Sequence, residues 1–142
     1  MMILLEGMHG AGKSTFAEKW ITENPSYTIV RGYCKNLTEV ATFLETYKDQ
    51  DVVIDRLFII PFMRNNFGKD MINQVLHLLN QTAIDCYMFL CDADKAWERS
   101  LKKDYPIIKE EFDTEVNYSI EVFTSGIVTW KLINIDNEEN AE

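Results

Sequence analysis

The chain has 142 residues, 46% of them apolar and 26% charged, with a formal net charge of −9. That length suits one domain around one core. No apolar run reaches the ~18 residues of a membrane span, and so acidic a chain repels the phosphate backbone of long nucleic acids.

Ile3-Leu4-Leu5 reads as a buried first strand ending at Gly7. Glu6 interrupts the apolar opening and no basic segment precedes it, which argues against a secretory signal. Ser14 to Glu23 carries Phe16, Ala17, Trp20 and Ile21 at helical spacing and is closed by Pro25-Ser26. Tyr27 to Val30 is a short strand. Leu37, Val40, Ala41, Leu44 and Tyr47 predict a helix over Thr38–Lys48 with Asn36 as its N-cap. Val52-Val53-Ile54 is a strand ending in Asp55. Met71 to Leu79 has a helical stripe, Ile84 to Leu90 a strand pattern, and Ala93 to Lys103 a helix. Phe112, Val116, Ile120 and Phe123 mark a further helix closed by Ser125-Gly126, and Ile127 to Ile135 supplies the last strand. Apolar strands alternating with helices predict an α/β fold: a five-stranded parallel sheet covered on both faces, with ligands at the carboxyl ends of the strands. Residues 1–136 form this single domain; 137–142 read as a solvated acidic tail. Cys34, Cys86 and Cys91 form no C-x-x-C pair and read as reduced thiols, which fits a cytoplasmic protein.

Gly7-Met8-His9-Gly10-Ala11-Gly12-Lys13-Ser14, followed by Thr15, matches G-x-x-x-x-G-K-[ST] in full and joins a strand to a helix. Glycines let the backbone wrap an anion, and loop amides and the helix N-terminus point at the phosphates. Lys13 is placed at the β- and γ-phosphates, Ser14 at magnesium and Thr15 at the α-phosphate. His9 occupies a variable position and reads as a solvent-exposed spacer rather than a catalytic histidine. Asp55 ends its strand as a magnesium-binding acid does. Arg56 beside it suits bidentate phosphate binding, with a structural salt bridge as the alternative. Arg99, Lys102 and Lys103 put three cations within five residues, either a lid over triphosphate charge or a solvated face with Glu98 pairing to Lys102.

Together, Leu5 to Thr15, Val30-Arg31, Asp55-Arg56, Leu90-Cys91-Asp92 with Ala96 to Arg99, and Ile133 to Asp136 resemble the thymidylate kinase and deoxynucleoside kinase branch of the P-loop nucleotide kinases. The resemblance implies the three-layer P-loop fold, ATP and Mg2+ as cofactors, and transfer of the terminal phosphoryl group to a small nucleotide acceptor. It places Arg31 and Arg56 on the acceptor side. Arg64 is a further cation for an acceptor phosphate, and Phe62, Tyr33, Phe58 and Phe67 are candidates for stacking on the acceptor base or for the core. The turn after Arg31 and the run Leu57 to Phe62 depart from the thymidylate kinase pattern. Kinases of this branch often pair as homodimers, and the small size suits a virus- or phage-encoded enzyme.

A monophosphate acceptor is already an anionic nucleophile and needs cations. A hydroxyl acceptor needs a base, and Asp55 is the one acid the motifs place there. This favours a (deoxy)nucleoside monophosphate kinase. The alternatives are a deoxynucleoside or other hydroxyl-acceptor kinase, including a polynucleotide 5′-kinase disfavoured by charge, and a non-catalytic switch module; no N-K-x-D run specifies guanine.

Overall fold

The computed structural model describes residues 1–102 and 107–136. The lid candidate Lys103 and the acidic tail at 137–142 lie outside them. The order is β1 (Met2–Gly7), α1 (Lys13–Glu23), β2 (Thr28–Arg31), α2 (Leu37–Tyr47), β3 (Val52–Asp55), α3 (Ile59–Arg64), α4 (Lys69–Asn80), β4 (Ile84–Phe89), α5 (Ala93–Ser100), α6 (Lys109–Thr124) and β5 (Lys131–Ile133).

All five strands are parallel, in the order β2-β3-β1-β4-β5. β1 is central, and side-chain alternation divides its apolar residues between two cores. Met2 and Leu4 face a cluster with Val52, Ile54, Cys86 and Met88 that α2, α3 and α4 cover. Ile3 and Leu5 face a second cluster with Val53 and Phe89, covered by Ala17 of α1, Ala96 of α5 and Phe112 of α6. Burial on both faces explains why these strands read as continuous apolar runs. The register sets Leu5 opposite Asp55 and Gly7 opposite Phe89. The loops after β1 and β3 therefore emerge side by side at the carboxyl edge, where the order reverses.

Four elements differ from expectation. The run Leu57 to Phe62, for which the sequence predicts no element, leads into α3, whose Pro61 is the third helical residue, where a missing amide costs little. α5 stops at Ser100 instead of Lys103, because the Lys102 amide already closes a tighter turn on the Arg99 carbonyl at 3.2 Å. β5 is three residues long rather than nine, since it is an edge strand that pairs only along Tyr87 to Phe89. In α6 the buried stripe is Phe112, Glu115, Ser119 and Val122, while Ile120 of the expected stripe is exposed. The helix is thus rotated so that a carboxylate points inward. Asn36 caps α2 as the sequence predicts, its side chain accepting the Glu39 amide at 2.9 Å.

Candidate functional site

The loop after β1 is held by backbone fit. The Met8 amide donates to the Phe89 carbonyl at 3.0 Å, and the Met8 side chain is buried. Gly10 has φ +75°, and a Cβ there would overlap the Ala96 carbonyl of α5. Only glycine accepts both the left-handed backbone and this approach. α1 then begins at Lys13 with no side-chain cap and no acid in its first turn. Its positive end is thus left for an anion. Lys13 is buried, and its ammonium donates back to the Met8 carbonyl, inside the loop. Ser14 and Thr15 are exposed in the first turn.

The second wall follows β3. The Asp55 side chain is 14% exposed, with Arg31 Nε 4.0 Å from its Oδ2. Arg56 adopts φ +66°, a left-handed conformation uncommon for a residue with a side chain. It is held there by its amide, which donates to the Leu5 carbonyl at 2.9 Å. The turn continues onto Glu6, the acid inside the first strand. One Glu6 carboxylate oxygen accepts the amides of Leu57, Phe58 and Ile59 at 3.1, 2.9 and 3.2 Å. Glu6 is fully buried and caps α3 from fifty residues away. Burial pushes its carboxyl up, and these amides with the Arg56 charge only partly oppose that.

Glu115 joins the two walls. It is wholly buried on α6 and accepts the His9 amide at 2.7 Å, a bond from His9 Nδ1, and one from Arg56 Nη1 at 3.4 Å. Burial would raise its carboxyl, but His9, Arg56 and Lys13 outweigh burial and hold it below the ordinary value. Burial lowers His9, the Glu115 bond opposes this, and the Arg56 and Lys13 charges lower it further; the net direction is down. The pair is therefore a neutral imidazole donating to an ionised carboxylate. His9 is a partly buried ring seated on a carboxylate, not the exposed spacer expected from its variable position; the contact that fixes it comes from 106 residues away.

The remaining candidates separate. Arg64 pairs with Glu111 at 2.8 Å and donates to the Tyr33 hydroxyl at 3.1 Å. The Arg31 side chain is 87% exposed. Phe62, expected beside the acceptor, is wholly buried in edge-to-face contact with Phe58 and Phe67, so it is core. Phe58 is buried likewise. Arg99 is tied to the phosphate-loop candidate: its Nε donates to the Gly10 carbonyl at 2.6 Å and its Nη1 to Asp136 at 3.3 Å. Lys102 is exposed beyond α5. Glu115 and Glu111 are not marked by the sequence, and Asp136 is marked there only as the end of the last motif, not as the partner of Arg99. For Glu115 a signal existed: it lies three residues after Phe112 and seven before Val122, both buried.

No protein-family model matches the chain, and no curated protein sequence does. Solved structures do match. The YorR protein of Bacillus subtilis, in complex with phosphorylated GDP, superposes with TM-score 0.67 at 19% identity, over 94% of this chain and 84% of that one. Deoxyadenosine kinase from M. mycoides with bound dATP gives 0.62 at 18% identity, over 97% and 91%. Shikimate kinase from Bacteroides thetaiotaomicron gives 0.57 at 14% identity, over 96% and 87%. The fold is that of the P-loop kinases, as the motif resemblance implies. Among the described residues no helix is long and apolar enough to cross a membrane.

Proposed function

We propose that the chain is an ATP-dependent kinase for a small nucleoside or nucleotide acceptor. The observation that carries this reading is the loop from Gly7 to Lys13, with an uncapped α1 behind it and the Lys13 ammonium folded inside. Phosphoryl transfer asks a protein mainly to position reactants and neutralise charge. Gly10 to Gly12 would turn their amides to the triphosphate, since those of Met8 and His9 are taken by Phe89 and Glu115; Lys13 would meet the β- and γ-oxygens, and Thr15 would support the α-phosphate.

Ser14 and Asp55 are hard oxygen donors at the carboxyl edge of neighbouring strands, a set that fits Mg2+, which binds few protein ligands and keeps its waters. Ser14 and Asp55 would hold the ion, which would supply positive charge against the phosphates when bound. Lys102, exposed beyond α5, would close over the donor, while Arg99 holds the Gly10 carbonyl and with it the loop.

For the acceptor, Arg31, Arg56 and Arg64 favour a monophosphate. Against this, Glu115 and Glu111 already neutralise Arg56 and Arg64, so an incoming phosphate must compete with two carboxylates. A hydroxyl acceptor avoids that competition and is the second reading. Purified protein with ATP and Mg2+, offered the deoxynucleosides and their 5′-monophosphates, tests the proposal. Conversion of at least one acceptor with formation of ADP is the expected result. ATP left intact with every acceptor would remove the kinase reading.

A further inference from the structure

Two titratable side chains at this site have no part in the donor machinery above: His9 and Glu115. Glu115 is ion-paired and wholly buried, and both its oxygens point at the loop. Burying a carboxylate is costly unless it is paired and hydrogen-bonded. It fixes both the backbone and the Nδ1 of His9, so the ring has one orientation and one tautomer, Nδ1–H toward the carboxylate. That leaves Nε2 as an acceptor. Among the described residues the ring is bonded through Nδ1, and it is not sealed off, since the His9 side chain is 18% exposed. The loop that carries the ring is the one that would wrap the terminal phosphates. The Glu115 oxygen bonded to the His9 amide also meets Arg56, on the acceptor wall.

We propose that His9, seated by the buried Glu115, is the group that takes the proton from an acceptor hydroxyl, and that the acceptor is accordingly an alcohol such as a nucleoside rather than a monophosphate. The proposal rests on the kinase reading. In the step, the acceptor O–H proton passes to His9 Nε2 as the oxygen bonds to the terminal phosphorus of ATP. The bond from that phosphorus to the bridging oxygen breaks, and ADP leaves with the electron pair. The imidazolium then loses its proton to solvent. Glu115 is a positioning residue: it touches no reactant, holds the tautomer and stabilises the transient positive charge. An ionised partner is needed for this, because a neutral amide would not favour the imidazolium. The charges around the ring are Glu115 from α6, Arg56 from the turn after β3, Lys13 from α1, and Arg99, which bonds the adjacent Gly10 carbonyl from α5.

The test is steady-state kinetics against pH, with ATP as donor and deoxyadenosine, deoxycytidine, deoxyguanosine, thymidine and their 5′-monophosphates as acceptors. The wild type should phosphorylate a nucleoside, with kcat falling on the acid side below the ordinary imidazole value of 6.5, because neutral His9 is the active form. His9→Asn should lower kcat by roughly 100-fold or more and erase that acid limb, with KM for ATP essentially unchanged. Glu115→Gln should lower kcat and move the limb to still lower pH, since the carboxylate is what opposes deprotonation of the ring. His9→Asn sits on a partly exposed ring, so the test stands if Glu115→Gln does not fold. Retention of kcat within about threefold in His9→Asn, or an unchanged acid limb, would overturn the proposal. A wild type that accepts monophosphates and ignores nucleosides also overturns it, while leaving the kinase reading intact; phosphorylation of nothing removes both.

Discussion

Replacing Glu6 by alanine removes a single carboxylate on which three backbone amides converge. All three, from Leu57, Phe58 and Ile59, lie within 2.9–3.2 Å of one oxygen, and the side chain is fully buried. Loss of a helix cap costs about 1 kcal/mol, and each further buried donor left unpaired costs at least about 1 kcal/mol. The sum is about 3 kcal/mol, which for a domain of this size lowers Tm by roughly 6–12 °C. Relief of the buried charge offsets part of this, and it has its own signature. The folded-state Glu6 carboxyl is raised above its ordinary 4.5, so the folded chain binds this proton more tightly than the unfolded chain. The stability this linkage contributes is present at low pH and is lost as pH rises through the raised value. Glu6→Gln cannot titrate. The stability of the wild type relative to Glu6→Gln should therefore increase on acidification from neutral pH toward 4.5. Urea unfolding followed by circular dichroism reads both quantities. A loss in Glu6→Ala below about 1 kcal/mol would refute the capping argument.

Three further outcomes follow from the same geometry. Gly10→Ala should destabilise the fold and weaken ATP binding together, because a Cβ meets the Ala96 carbonyl at a left-handed φ; thermal melting and nucleotide titration read the two effects. Phe62→Ala should cost about 3–5 kcal/mol in urea unfolding, and its acceptor KM, measured on the folded fraction, should match the wild type because the ring is core. Arg56→Gln should raise the acceptor KM more than the ATP KM and leave Glu115 without one of its two cationic neighbours. A pure rise in ATP KM would place Arg56 on the donor side instead.

What was legible in the sequence is what local chemistry decides. β1, the glycine loop and α1 are consecutive, so the motif and its setting could be read together, and the Asn36 cap of α2 spans only three residues. What was hidden depends on distant partners. α3 is too short to show a period, and its cap is Glu6 on another strand. The inward face of α6 is hidden because Glu115 and Ser119 are polar, and the apolar periodicity points instead to Val116 and Ile120. His9 is unremarkable in the sequence; only packing of α6 against the loop gives it a carboxylate. Phe62 shows the converse: an aromatic residue near a motif is as fit for the core as for a ligand, and the two rings that converge on it, Phe58 and Phe67, place it in the core.

Titration of ATP in the presence of Mg2+ against the wild type and Lys13→Ala tests the central claim most directly. The account predicts saturable binding to the wild type and a loss of affinity of roughly 100-fold or more in Lys13→Ala, because the buried ammonium proposed to meet the phosphates is removed. Equal affinity in the two proteins, with the fold of both intact, would contradict it.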